Sequence, residues 1–427
     1  MIPYNFGGDA SIPVKSEPLG DNAFHRHGVT LRQLAILESV FNEGSAGAAA
    51  RALGLSQPAV SHALAKLEAE LGTVLLHRSQ AGCAPTDAGG ILQRRASRLF
   101  EQIKTGLSGI LADRPDSHAI RQRAAALTST QAACHLAIAD QGSFRDAARL
   151  LAISEPAVQR TARGLERLLG VALYQRQGRV TKILPSGERL ATAVQLALAE
   201  IDQARDEITA ASGQSAGRIA LGCLPLMPKS IIATALSALL ARYPTVRVSL
   251  EEGPYDRLSL ALSRGRLDML LGAVRNDGEQ TDFAAQILFD DPYVVVARDS
   301  HPLVGRRRPT MAALSRQNWV APPHGTPRRA VLEQLFALLP RRPAIALETA
   351  SVSTMMATLS KSDCLCLTSR IQARSDFASA DLVILPFPIV QAPRPVGITT
   401  RATWLPTTVQ CYFLGLISGA KEGGSPS

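Results

Sequence analysis

The sequence lacks several features that would assign it to whole classes of protein. Its longest apolar stretches, Ile231 to Ala241 and Tyr412 to Ile417, fall short of the ~18 residues that a membrane-spanning helix needs. The first residues show no basic start followed by an apolar run, which is the pattern of a secretory signal. We therefore expect a cytoplasmic protein with no membrane partner, and we expect residues 1–28 to form a disordered leader.

Cysteine is scarce, with six residues scattered along the 427 positions. Without an export signal these thiols should stay reduced, so a disulfide framework is not expected. Cys364 and Cys366 lie in an apolar run with no second pair of ligands nearby, which favours buried strand cysteines over a metal or redox site. We expect no cofactor and no metal.

Signatures of catalysis are missing as well. The sequence contains no glycine-rich phosphate-binding loop between a strand and a helix, no His-Glu-x-x-His and no Gly-x-Ser-x-Gly. Its eight histidines show no metal-binding spacing. These absences argue against an enzyme.

The net charge of +10 suggests a nucleic-acid partner but does not locate its binding surface. The basic excess lies mostly in residues 213–427, which carry 23 basic and 16 acidic groups. A DNA-binding surface must therefore be sought in motifs.

An internal repeat organises the N-terminal half. Shifting the chain by 98 residues aligns residues 44–78 with 142–176, and 16 of the 35 aligned positions are identical. The shared residues include Gly-Ser, Ala-Ala-Arg, Ser-x-Pro-Ala-Val and Leu-Gly. This pattern predicts two related N-terminal domains followed by a different C-terminal one.

Each copy has the pattern of a helix-turn-helix. Ser56 and Ser154 are predicted helix N-caps, and each is followed by a proline in the first helical turn. The inward faces of these two helices are predicted to carry Val60, Leu64, Leu67 and Leu71 in the first copy and Val158, Ala162, Leu165 and Leu169 in the second. Such a helix, packed on a short helix through a tight turn, is typical of proteins that read the DNA major groove.

The outer faces of the same helices carry the predicted DNA contacts. Hydrogen-bonding side chains near the start of an exposed helix suit base edges, whereas basic residues farther along suit phosphates. In the first copy the predicted contacts are Ser56, Gln57, Pro58, Ser61, His62, Lys66 and Arg78. In the second copy they are Ser154, Glu155, Gln159, Arg160, Arg163 and Arg176. The carboxylate of Glu155 is unfavourable near phosphates, although it can accept from a cytosine amino group, so DNA contact is less secure for the second copy.

These residues resemble the LysR-type transcriptional regulators. The matching stretches are Ala48 to Ser61, Leu67-Glu68, Leu71-Gly72 and Thr86-Asp87-Ala88-Gly89. The resemblance implies a winged helix-turn-helix followed by a long linker helix that pairs two copies. It assigns winged helix-turn-helix units to 29–87 and 125–186, and linker helices to 88–112 and 187–212. Two units in one chain allow an internal pseudo-dimer or a homo-oligomer that presents four units, and the sequence leaves both open.

Residues 217–420 alternate between strand and helix patterns, which predicts an α/β domain with parallel strands. This segment resembles the effector-binding domain of the same family, which is similar to periplasmic binding proteins and has two lobes around a small-molecule cleft. Lobe 1 is expected at about 217–300 and 385–420, and lobe 2 at about 301–384. The predicted effector contacts follow strand ends or start helices, and they are Leu224, Pro225, Met227, Arg275, Thr326, Ser351 and Ser353.

The expected fold class is therefore multidomain: two all-α-rich winged helix-turn-helix units with linker helices, then an α/β effector domain of two lobes. The expected function is sequence-specific, DNA-binding transcriptional regulation under the control of a small-molecule effector. Promoter DNA and the effector are the expected partners, and RNA polymerase is a further protein that such a regulator can contact.

The effector class and two rival functions stay open. Residues 240–275 look most like the subgroup that regulates sugar or aromatic-acid uptake and catabolism, and the basic surplus of this half favours an anionic effector. A solute-binding transport protein would account for the C-terminal half alone. An architectural DNA binder would account for the N-terminal half alone.

Overall fold

The structure is a computed structural model that divides into two compact units, unit 1 at residues 1–208 and unit 2 at residues 209–427. It describes residues 28–419 apart from 80–81, 112–116, 178–179, 214–216, 225–226, 276–281, 306–307, 376–380 and 391–392. The predicted leader lies outside the described residues, except for Gly28. No helix within the described ranges is long and apolar enough to cross a bilayer.

Unit 1 contains two copies of one plan of three helices, a strand hairpin and a long linker helix. Copy 1 consists of α1 (Leu31–Glu43), α2 (Ala46–Leu53), α3 (Gln57–Leu71), β1 (Leu76–Ser79), β2 (Gly82–Pro85) and the linker helix α4 (Asp87–Ser108). After α5 (Ser117–Ala126), copy 2 consists of α6 (Ser129–Gln141), α7 (Phe144–Leu150), α8 (Glu155–Leu169), β3 (Tyr174–Gln177), β4 (Val180–Ile183) and the linker helix α9 (Pro185–Ala211). In both copies the two strands pair antiparallel and form the wing.

Capping differs between α3 and α8, the third helix of each copy. Ser56 Oγ accepts from the backbone N–H of Ala59 at 3.4 Å, as an N-cap should. Ser154 occupies the N-cap position of α8, as predicted, but its side chain makes no capping hydrogen bond. The turn before the helix also differs, because Gly54 (φ 64°) is replaced by Ala152 (φ 53°), an L-residue in the left-handed region. Copy 2 therefore holds the same turn with less local support.

The two linker helices pair antiparallel within the chain. Arg95 of α4 donates to Glu200 at 2.8 Å and to Gln203 at 2.6 Å on α9. At the other end Arg189 of α9 donates to the carbonyl of Gly109 at 2.8 Å. One apolar core runs through both copies and includes Leu99, Ile103, Val194 and Ile201. The two linker helices of one chain therefore pair with each other in unit 1.

Unit 2 contains two five-stranded sheets. The first, which defines lobe 1, has the order β6-β5-β7-β14-β8, with β5 (Arg218–Cys223), β6 (Arg247–Glu252), β7 (Met269–Ala273), β8 (Phe283–Asp291) and β14 (Arg394–Arg401). The second, which defines lobe 2, has the order β11-β10-β12-β9-β13, with β9 (Tyr293–Arg298), β10 (Asn318–Ala321), β11 (Ala344–Glu348), β12 (Leu365–Ser369) and β13 (Leu382–Ile384). In each sheet three neighbouring strands pair parallel, and the crossover strand, β14 in the first sheet and β9 in the second, pairs antiparallel with both of its neighbours.

Helices cover these sheets. They are α10 (Lys229–Arg242), α11 (Tyr255–Ser263), α12 (Met311–Leu314), α13 (Pro327–Leu338), α14 (Val352–Ser360), α15 (Arg370–Ser375) and α16 (Thr408–Gly419). Helices α11, α13 and α14 each follow the carboxyl end of a parallel strand, so their N-termini lie at the same sheet edges as those strand ends.

The crossover between the lobes falls at Pro292, between β8 and β9. The predicted boundary at residue 300 is therefore wrong, because β9 pairs with β12 of the second sheet. The return crossing brings Arg394, the first residue of β14, opposite Asp291, the last residue of β8. Their side chains form a buried ion pair with 3.5 Å between Nη2 and Oδ2.

Candidate DNA-binding and effector-binding sites

Helix α3, the predicted recognition helix of copy 1, has an inner apolar face and an outer polar face. Val60, Leu64 and Leu67 are buried, as predicted, and Leu71 is half-buried. The predicted DNA contacts on this helix and its cap lie on the opposite side, where Ser56, Gln57, Pro58, His62 and Lys66 are exposed and Ser61 is half-buried. The inward packing therefore leaves a polar helix face available to a groove.

The recognition helix of copy 2 presents a more strongly basic face. Arg160 and Arg163 are exposed, and neither pairs with a carboxylate among the described residues. Glu155 is half-buried, lies 3.8 Å from Arg145 and accepts from Gln159 at 3.1 Å. These contacts offset the charge of the Glu155 carboxylate and orient Gln159, although Ser154 beside them stays exposed.

The two faces differ at matched positions of the repeat. His62 corresponds to Arg160, and Lys66 corresponds to Gly164. Different side chains at the same place on a recognition helix select different bases. Arg78 on β1 and Arg176 on β3 stand at equivalent positions on the wing strands, but their side chains are outside the described residues.

The predicted effector contacts lie at the carboxyl edges of the two sheets. Leu224 directly follows β5 and is buried, and Met227 is fully buried in the core of lobe 1. Arg275, after β7, lies over the ring of Tyr255 at 4.0 Å and 3.6 Å from Asp256, so it is anchored to the start of α11. Pro225 is outside the described residues.

The predicted contacts of lobe 2 are helix caps. Thr326 Oγ1 accepts from the N–H of Arg329 at 3.2 Å and donates to the carbonyl of Pro323 at 2.9 Å, which uses both of its functions. Ser351 caps α14 through the N–H of Thr354 at 3.2 Å, and its hydroxyl lies 3.0 Å from that of Ser353. Both serines are exposed at a helix start, where backbone N–H groups favour an anion.

Two arginines in the described structure were missed by the sequence analysis. Arg95 is 1% exposed and holds the linker helices together, and Arg328 is 7% exposed at the start of α13. A cation in the first turn of a helix is disfavoured by the helix dipole. The position of Arg328 at a helix start is therefore a local signal that the sequence contains. The partners of Arg95 lie on another helix more than 100 residues away, and no local pattern reveals them.

Family comparisons match both parts of the chain. The model described as "Bacterial regulatory helix-turn-helix protein, lysR family" matches residues 31–90 and again residues 130–188. The model described as "LysR substrate binding domain" matches residues 212–413.

Individual relatives agree with this assignment. The HTH-type transcriptional regulator GalR of Pseudomonas putida is 28% identical over 388 residues, which cover 91% of this chain and 96% of that protein. A probable hydrogen peroxide-inducible genes activator of Mycobacterium xenopi is 30% identical over 172 residues, which cover 40% of this chain and 90% of the relative. A solved full-length OxyR variant from Pseudomonas aeruginosa has a TM-score of 0.52 at 19% identity, covers 69% of this chain and 94% of its own, and shows a shared fold.

A duplicated helix-turn-helix joined to a two-lobed binding domain defines a DNA-binding transcriptional regulator with an effector-binding domain. The chain belongs to the LysR family of transcriptional regulators. Members of this family bind DNA and small-molecule effectors and act as oligomers.

Proposed function

We propose that one chain reads a two-part operator whose halves differ in sequence, with copy 1 on one half and copy 2 on the other. In this proposal α3 and α8 supply the base contacts predicted from the sequence, and Arg78 and Arg176 contact phosphates. The protein acts in the cytoplasm, where an effector bound in unit 2 changes the occupancy of the promoter and RNA polymerase is a further contact. The proposed effector is a sugar, or an aromatic or other organic acid.

The observation that carries this proposal is the unequal pairing of the linker helices. Arg95 donates to Glu200, Gln203 and Glu207, all of which lie on α9. The repeat places Gln102, Thr105 and Gly109 at the equivalent positions of α4.

Two α4 helices from separate chains would therefore bring each Arg95 against residues without a carboxylate. A buried arginine without a counter-charge is strongly unfavourable, so the charges favour pairing between α4 and α9 over pairing between two copies of α4. Pairing of α4 with α9 keeps the two different recognition helices in one assembly.

The test is to select DNA from a random pool with the full chain and with variants at one matched position. His62→Ala and Arg160→Ala occupy the same place in the repeat, and each is expected to relax base preference in a different half of the selected site. The loss of affinity for each should be about 5- to 150-fold, which corresponds to about 1–3 kcal/mol per lost base contact. Arg247→Ala, an exposed arginine of unit 2, is the matched control and should leave the selected site unchanged.

Two outcomes would contradict the proposal. A palindromic site that His62→Ala relaxes equally in both halves would mean that copy 1 reads DNA twice, from two chains. A selected site that neither variant changes would mean that these helices do not read bases. Footprint length separates the two arrangements independently, because one short protected site fits a single chain and a long, multi-turn footprint fits four units.

A further inference from the structure

Arg328 is a buried cation without a counter-charge. It is 7% exposed and occupies the second position of α13. Its guanidinium donates to Met355 Sδ at 3.7 Å, and no carboxylate within the described part of the chain pairs with it. A thioether sulfur is a weak, uncharged acceptor, so this contact does not compensate the charge of Arg328.

The neighbouring Arg329 shows the opposite arrangement. It donates to Glu333 at 2.7 Å and to Glu348 at 2.8 Å, and it also donates to the carbonyl of Pro322. Two successive arginines of one helical turn therefore differ in their partners. Two carboxylates compensate the charge of Arg329, whereas Arg328 has no carboxylate partner among the described residues. Burying a charge without a counter-charge lowers the stability of the folded protein. A residue that binds an anionic ligand has this cost whenever the ligand is absent.

The surroundings of Arg328 add positive charge. Tyr293 and Arg394, the first residues of the crossover strands β9 and β14, lie near it. Arg394 is paired with Asp291, so the charge of Arg328 is left as an excess. Burial lowers the pKa of Arg328, and the positive charge of Arg394 acts in the same direction. The N-terminus of α13, and through Met355 that of α14, contribute the positive ends of two helix dipoles.

We propose that the effector of this regulator is a small organic carboxylate whose carboxylate group binds Arg328 between the starts of α13 and α14. The proposal rests on the proposed function in one respect, that unit 2 binds a small-molecule effector. The planar guanidinium offers two parallel N–H groups that match the two oxygens of a carboxylate.

The experiment measures the thermal unfolding of the full chain at constant ionic strength with benzoate and acetate, with their uncharged amides benzamide and acetamide, and with inorganic phosphate. The wild-type protein is expected to gain about 2–4 °C in Tm from at least one carboxylate over its amide when the concentration exceeds Kd several-fold. Arg328→Met should lose this difference, and Arg328→Lys should retain part of it because the charge remains.

A second measurement needs no ligand. Arg328→Met is expected to raise the Tm of the ligand-free protein by about 2–4 °C, because it removes an uncompensated buried charge. Arg394→Met is the matched control and should lower the Tm, because it leaves Asp291 buried without its partner. A fall in Tm for Arg328→Met as large as that for Arg394→Met would make Arg328 a structural residue and overturn the proposal.

Three further outcomes would refute the carboxylate site. A carboxylate response of equal size in Arg328→Met, or no carboxylate preference in the wild-type protein, would refute the site. Stabilisation by phosphate but by neither carboxylate would assign a tetrahedral anion and refute the carboxylate. Gel shifts of the same variants without added anion test DNA binding separately, so a failed anion site leaves the operator proposal standing.

Discussion

The backbone N–H of Leu31 donates a hydrogen bond to Ser129 Oγ at 3.1 Å. The two residues are 98 positions apart, which is the shift of the internal repeat, so they occupy the same place in the two copies. Equivalent residues touch one another only at an axis that relates the copies. The starts of α1 and α6 therefore meet on the pseudo-twofold axis of unit 1, and the linker helices cross the same axis antiparallel.

The buried ion cluster of the linker helices should contribute strongly to stability. Arg95→Met leaves Glu200 and Glu207 without their shared partner, and we expect a loss of about 3–5 kcal/mol in the free energy of unfolding. Arg94→Met is the control, because Arg94 pairs with the same Glu207 but is 55% exposed. Its loss should stay below about 1 kcal/mol, since exposed ion pairs are weak. Urea unfolding of the full chain measures the free energy lost in each variant. Equal losses would show that burial of the ion cluster does not determine its contribution to stability.

Close packing of the linker helices predicts opposite effects for two glycines of α4. A Cβ on Gly106 would lie 2.3 Å from the Cβ of Ala193 on α9, so Gly106→Ala must push the helices apart, at a cost of about 1–3 kcal/mol. A Cβ on Gly90 meets nothing within 4 Å, so Gly90→Ala should stabilise by about 0.5–1 kcal/mol through helix propensity. Denaturant midpoints of the two variants test this contrast, and a stabilising Gly106→Ala would show that the helices do not pack at this point.

Copy 2 contains a buried histidine that should make unit 1 sensitive to acid. His135 Nδ1 lies 2.6 Å from the hydroxyl of Tyr174, and Nε2 lies 2.9 Å from the carbonyl of Gly187, which together fit a neutral ring. Burial lowers the pKa of His135 from its ordinary 6.5 to about 4. The folded state therefore disfavours protonation, so this contribution is complete above pH 6.5 and is lost as the pH falls from there towards 4.

Between pH 7.5 and pH 5 the loss due to His135 should be about 2 kcal/mol. In copy 1 the equivalent residues are Leu37 and Leu76, so the double variant His135→Leu with Tyr174→Leu restores the apolar pair. Urea titrations at the two pH values should show a smaller acid loss in the variant than in the wild-type protein. The same acid loss in both proteins would assign it to other groups.

The cysteines should differ sharply in reactivity. Cys366 is fully buried, and burial raises its pKa to about 12, so its thiolate is not populated near neutral pH. Cys411 is exposed. A thiol reagent at pH 8 should label Cys411 in the folded protein and reach Cys366 only after unfolding, which mass spectrometry of the peptides measures. Rapid labelling of Cys366 in the folded chain would show that lobe 2 opens at this strand.

The sequence predicted those features that depend on local patterns. The inward positions of α3, Val60, Leu64 and Leu67, are confirmed, because a 3.6-residue period fixes which side chains share a face. The lobe boundary was missed because only Pro292 separates β8 from β9, and continuous strand patterning does not show a change of sheet. The partners of Arg95 and the lack of one for Arg328 depend on contacts between distant segments, which no local period encodes.

The pairing of α4 with α9 inside one chain removes a dependence on protein concentration. Two subunits joined only by weak contacts separate on dilution, whereas two halves of one polypeptide remain together however few molecules are present. A cell holding a handful of copies would therefore still have a complete pair of helix-turn-helix units on every one of them.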